Sequence, residues 1–135
     1  MSTDSESPRE IRRRFTDEGY LIEDAEVVNG ELHGLRRFWS RAGTVIGAGE
    51  YKNGKLNGRS RIWDTNGQLT SDCYYVDDKL HGPYESFWSD GTRKERGHYA
   101  HGMRAGKYEW FDLSGKLHHE HIYDAPDPHR IGESE

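Results

Sequence analysis

The chain is poor in what most enzymes and membrane proteins are built from. It has one cysteine, four prolines and two methionines in 135 residues, and only 32% of it is apolar. The lone thiol, Cys73, excludes an internal disulfide framework and fits a reducing compartment. No apolar run approaches the ~18 residues of a membrane-spanning helix. The first residues, Met1-Ser2-Thr3-Asp4-Ser5-Glu6, have no apolar stretch behind them, so no secretory leader is expected and the cytoplasm is the expected location. There is no Gly-x-Ser-x-Gly elbow, phosphate-binding loop or zinc-ligand spacing. No catalytic residues are therefore assigned, no cofactor or metal is expected, and the chain is expected not to be an enzyme. Positive charge is not in excess either. The net charge of −5 argues against general nucleic-acid binding.

What the chain does have is glycine and rings: 16 Gly, eight Tyr, four Trp and four Phe. Disordered chains are poor in aromatics, so these rings are expected to pack. Gly19, Gly43, Gly67, Gly91 and Gly115 recur every 24 residues, as do Gly34, Gly58, Gly82 and Gly106. Tyr51, Tyr75, Tyr99 and Tyr123 keep the same step, and so do Phe15, Trp39, Trp63, Phe87 and Phe111. A further column, Leu21, Val45, Leu69 and Leu117, is broken once by Arg93. Several columns without insertion identify a repeat protein.

Each unit reads as two short strands and two turns. Asn53-Gly54 is a tight-turn signal, because both residues tolerate positive φ, and its slot elsewhere holds Asn29-Gly30, Asp77-Asp78 and His101-Gly102. No segment keeps a helical period for more than one turn, and Pro8 to Asp17 reads as the first strand. The expected fold is all-β: an elongated single-layer antiparallel meander of nine or ten strands, built from 24-residue β-hairpin repeats. A repeat domain is expected over residues 10–123, about four and a half units, with a disordered tail at 1–9 and an acidic tail or cap at 124–135. Strict alternation, with Trp39 opposite Val45, places Leu35, Arg37, Trp39, Val45, Gly47, Gly49 and Tyr51 on one face. The other face, carrying Tyr84, Tyr108 and Trp110, is irregular from unit to unit and is expected to be free for recognition. Cys73 falls in a small-residue slot beside Tyr75 and reads as packing rather than as a nucleophile.

Strings such as Gly54-Lys55-Leu56-Asn57-Gly58, followed by Trp63, Gly67, Leu69 and Tyr75, resemble the MORN repeat in the variant form of bacterial YwqK-type antitoxin proteins. The next unit repeats the pattern with Leu80, Gly82, Phe87, Gly91 and Tyr99, and the resemblance spans about residues 10 to 123. It implies a soluble, non-enzymatic binder, an antitoxin or immunity protein that neutralises a cognate toxin by direct contact. Two departures stand out. Met103-Arg104-Ala105-Gly106 replaces the usual Lys-Leu-x-Gly, and Arg93 breaks its column, so less regular packing is expected near the C-terminus.

Arg37, Arg61, Glu85 and Glu109 form a column that changes sign along the array. With Tyr84 and Trp110 on the other face and Trp88 at a turn, they are the candidate partner-binding residues. Residues 34–63 hold seven Lys and Arg against one Glu, while residues 64–135 hold eight against fourteen Asp and Glu. The basic half gives a second reading, a membrane-associated scaffold for anionic lipid. Solvated strand edges are the plainer alternative. His118, His119 and His121 read as a polar end cap rather than a metal site, since no carboxylate or cysteine column completes a ligand set.

Overall fold

The computed structural model describes residues 9–124, so the expected tails, 1–9 and 124–135, lie outside the described residues except at their inner ends, where Arg9 opens the first strand instead of belonging to a disordered tail and Asp124 follows the last strand. The strands are β1 (Arg9–Phe15), β2 (Leu21–Val28), β3 (Glu31–Trp39), β4 (Val45–Lys52), β5 (Lys55–Trp63) and β6 (Leu69–Val76). They continue with β7 (Lys79–Phe87), β8 (Arg93–Ala100), the two-residue β9 (Met103–Arg104), β10 (Gly106–Phe111) and β11 (Leu117–Tyr123). All form one open antiparallel sheet in chain order, with β9 pairing only β8. The described residues contain no helix.

Two kinds of turn alternate along the chain. At one edge, Asn53 and Gly54 (φ 51° and 85°) make a two-residue turn with both residues left-handed, and His101-Gly102 does the same. These turns hold on to the preceding unit: the Gly54 amide donates to the Leu32 carbonyl at 2.8 Å, and Asp78 and Gly102 repeat the bond to Leu56 and Leu80. The repeats are thus stapled edgewise as well as laddered. At the other edge, five-residue turns such as Asp64 to Gln68 close through a glycine amide, and Asp64 Oδ1 accepts the amides of Asn66 and Gln68.

Each unit also carries two register shifts, and these correct the strict alternation expected from the sequence. Trp39 does sit opposite Val45, but Phe38 sits opposite Gly47, leaving Ile46 as an extra residue. A second shift falls between Gly49 and Tyr51 against Ser60 and Leu56. Arg37 therefore pairs with Ala48, while Gly49 and Tyr51 pair with Arg36 and Gly34. A bulge changes which residues share a face, and a period-2 count does not see it. The tyrosine column pairs with Gly34, Gly58, Gly82 and Gly106, and the residues that share its face on those strands are Arg36, Ser60, Tyr84 and Tyr108. Tyr84, Tyr108 and Trp110 thus lie on the tyrosine face, not on an independent one.

The second shift explains one glycine column. At Gly58 (φ 121°) the chain bulges towards Glu50, whose Oε1 accepts the Arg59 amide at 2.6 Å. Glu26 does the same for Leu35 at 2.9 Å. One unit further on, Tyr74 replaces the glutamate and Pro83 replaces the residue whose amide it would accept. Acceptor and donor disappear together, so nothing is left unsatisfied.

In a single layer few side chains are shielded. Ala25, Val27, Cys73 and Tyr108 are the buried apolar residues, joined by Glu23, Asp24, Ser86 and Glu109 among the polar ones. Arg93 does not disorder β8. It pairs with Glu85 at 2.6 Å and lies over the Phe87 ring, so an arginine stem and an ion pair fill the slot of an aliphatic. The other departure does break the ladder: strand pairing lapses at Ala105, between β9 and β10, where the Ala105 amide donates to the His98 carbonyl.

Candidate binding surface

On the tyrosine face, Arg12, Ala25, Arg36, Gly49, Ser60, Cys73, Tyr84 and Gly97 are successive partners across the sheet. Tyr108 packs over Gly97, and His121 lies beyond it. Rings enter this row only from Tyr84 onwards, and they converge at its C-terminal end. Tyr84 lies 5.5 Å from Tyr99 and 6.5 Å from Tyr108, and Tyr108 lies 4.8 Å from Trp110. Tyr99 and Tyr123 stand edge-on to Tyr108 at 5.9 and 6.3 Å. Tyr108 is wholly buried and donates its hydroxyl to Glu95 at 2.7 Å. Burial first, then the Glu95 carboxylate, pushes the Tyr84 phenol up to about 12 and the Tyr108 phenol further, so both stay neutral. Burial likewise raises the Cys73 thiol, consistent with a packing residue.

The N-terminal end of this face is ionic instead. Glu23, buried, accepts Arg14 at 2.8 Å and Arg36 at 2.6 Å, and Arg36 lies over the Phe38 ring. Burial opposes ionisation of Glu23, but the two guanidinium bonds outweigh it and hold the carboxyl below its ordinary value.

On the opposite face, Arg13, Asp24, Arg37, Ala48, Arg61, Asp72, Glu85, Arg96, Glu109 and Glu120 form one row. The structure thus brings Arg37, Arg61, Glu85 and Glu109 together as the sequence implies. It also interleaves residues that compensate them. Asp24 grips Arg37 through two bonds at 3.0 and 2.7 Å. Arg96 holds Glu109 at 2.9 Å, and Glu109 is only 8% exposed, its carboxyl lowered chiefly by that bond. Arg61 lies over the Trp63 ring. Trp88 sits at the turn after β7, covered by Lys94 at 4.8 Å, with its indole N–H buried and unpaired. The candidate residues therefore divide between two faces and a turn: Tyr84 and Trp110 on one face, the four charged residues on the other. Tyr99, Tyr108, Tyr123 and Arg104 join the aromatic end only in the structure. Arg104 was visible in the sequence as a break in the leucine column, without a sign of what it contacts.

A groove of about 540 Å³ is lined by Arg9, Glu26, His33, Leu35, Glu50 and Tyr51 among others. Its two glutamates already bond backbone amides. Among the described residues no three His, Cys, Asp or Glu side chains are placed to hold a metal. His119 lies tilted over Trp110 at 5.1 Å, and His121 stands edge-on to Tyr123 at 4.4 Å.

Residues 56–77, 80–101 and 104–125 each match the MORN repeat variant. These are tandem MORN repeats. The matched units run from β5 to the end of β11, and β1–β4 continue the same sheet in chain order ahead of them. MORN repeats generally act as binding modules rather than enzymes, and they commonly engage proteins or lipids. No curated protein matches the chain. Among solved structures, one match is the crystal structure of accessory secretory protein 1,2 and 3 in Streptococcus pneumoniae, at 15% identity and a TM-score of 0.42. The likeness covers 82% of this chain, which spans about a fifth (21%) of that one.

Proposed function

We propose that this MORN-repeat chain is a protein-binding module that acts as an antitoxin or immunity protein, neutralising a cognate toxin by direct contact in the cytoplasm. The observation that carries the binding role is the aromatic end of the tyrosine face. Five rings converge there on an open single-layer sheet, and Trp110 remains half-buried. Tyr and Trp are the side chains that most often anchor interfaces. Single-layer repeats offer an extended open surface, and a stable complex needs ~800 Å² from each partner. The toxin as partner is drawn from the YwqK-type resemblance. The lipid-scaffold reading is the less favoured, because much of the N-terminal basic charge is engaged internally: Arg14 and Arg36 with Glu23, Arg37 with Asp24 and Arg59 with Asp72.

The test is growth rescue on co-expression with a candidate toxin taken from the genes beside this one, with calorimetry on the purified pair. Trp110→Ala should weaken rescue and affinity while Arg61→Glu tests the opposite face. Glu109→Lys is a poor probe, because it would place a lysine against Arg96 and disturb the sheet. If the wild type neither rescues nor binds but co-sediments with anionic vesicles, the scaffold reading replaces this one.

A further inference from the structure

Where the earlier units place Leu32, Leu56 and Leu80 opposite the column of Val27, Tyr51 and Tyr75, the last unit places Arg104 opposite Tyr99. Its guanidinium carbon lies 4.6 Å from the Tyr108 ring centre, 5.4 Å from Trp110 and 5.9 Å from Tyr123. Glu95, held by the Tyr108 hydroxyl, supplies a carboxylate at the wall of this ring set. Rings that converge on one cation beside an anion make a cation-recognition site, strongest for flat, weakly hydrated guanidinium. The Arg104 guanidinium also meets the hydroxyls of Tyr99, Tyr123 and Tyr108, but the strand that carries it is weakly held. Arg104 is itself exposed, and β9 is two residues long, paired on one side only and separated from β10 by a lapse in the ladder. Segments with so few bonds open at low cost.

We propose that Tyr108, Trp110 and Tyr123, with Glu95, form a guanidinium-binding cage in which Arg104 is a resident stand-in, displaced when an arginine side chain of a protein partner enters. This rests on the binding-module reading for the partner's being a protein, and the cage itself is testable without one. In the free protein Arg104 competes from within at an effective concentration of order mM, so the cage is masked until a partner supplies arginine together with further contacts.

The probe is acetyl-arginine methylamide, followed by Trp110 indole resonances and tryptophan fluorescence. Arg104→Ala is expected to bind it at least about tenfold more tightly than wild type, and more tightly than the lysine analogue. Adding Trp110→Ala or Glu95→Gln to Arg104→Ala should abolish or weaken that binding. If Arg104→Ala folds and binds no better than wild type, the cage is wrong and Arg104 is only a stacking residue. If that variant melts below the assay temperature, recovery of its melt in tens of millimolar probe supports the cage, and no recovery overturns it. Failure of toxin rescue with probe binding intact would sink the antitoxin reading alone.

Discussion

A methyl group at Gly97 should be among the most damaging small changes available in this sheet. Gly97 is buried in β8 without positive φ, so replacing it with alanine brings no backbone strain. Its added carbon would fall within the Tyr108 ring, closest to Cδ2. That ring has no room to retreat, because Tyr99, Trp110 and Tyr123 pack around it and its hydroxyl is tied to Glu95. A ring that could shift would cost ~1–3 kcal/mol of overpacking. Expelling the ring forfeits the burial of ~150–250 Å², an upper bound of about 4–6 kcal/mol at ~25 cal/mol per Å². We expect at least about 3 kcal/mol, which lowers the melt by roughly 12 °C at ~4 °C per kcal/mol for a chain of this size. Near-ultraviolet circular dichroism should show the loss in the tryptophan and tyrosine bands first, since the repeats at the other end keep their own contacts. Gly49→Ala, in the same column, is the control. Its nearest neighbour is the flexible end of Leu56 at 3.1 Å, and the cost should stay below about 1 kcal/mol. In a Tyr108→Ser background, where a serine faces the slot as Ser60 faces Cys73, Gly97→Ala should become almost neutral. A Gly97→Ala protein that melts within about 4 °C of wild type with unchanged aromatic bands would refute the idea that this contact sets the C-terminal packing.

Further outcomes follow from single bonds. Glu50→Ala should cost roughly 1 kcal/mol by stranding the Arg59 amide, measured by urea unfolding, and an unchanged midpoint would remove the carboxylate from the bulge's support. Tyr74→Glu combined with Pro83→Ala should recreate that bond one unit later, giving a favourable coupling of roughly 1 kcal/mol in a double-mutant cycle. Arg93→Leu restores the aliphatic column but loses a part-exposed ion pair, so stability should move by less than about 1 kcal/mol; a larger loss would mean that the Glu85 pair organises β8. Glu23 is held below its ordinary value of 4.5, so its contribution is present above that value and is lost as pH falls through the lowered one. Wild type should therefore lose more stability between pH 7 and pH 3 than Glu23→Gln does, and equal losses in thermal melts would show that Glu23 is not the group that acid disrupts.

Repetition made the fold readable from the chain alone. Twenty-four-residue columns of glycine, tyrosine and tryptophan recur because each hairpin meets the same neighbours, and Asn53-Gly54 and its counterparts mark turns through backbone preferences that are local. The all-β class and the packing role of Cys73 follow from such local and periodic signals, whereas the expected nine or ten strands miss one of the eleven, because the two-residue β9 carries no periodic mark of its own. Face assignment did not. Two register shifts in every unit move Tyr51 from the company of Arg37 to that of Arg36, and each shift is set by hydrogen-bond pairing between strands, which no count along one strand contains. The same holds for charge. Arg37, Arg61, Glu85 and Glu109 read as a sign-changing column on alternate strands, but Ala48, Asp72 and Arg96 stand between them, contributed by the strands in between, and Asp24 flanks Arg37 from β2. Arg104 shows the limit most plainly. In sequence it is a missing leucine. Only the packing of β8, β10 and β11 beside it turns that absence into a cation among rings, because the rings come from residues four, six and nineteen positions further along the chain.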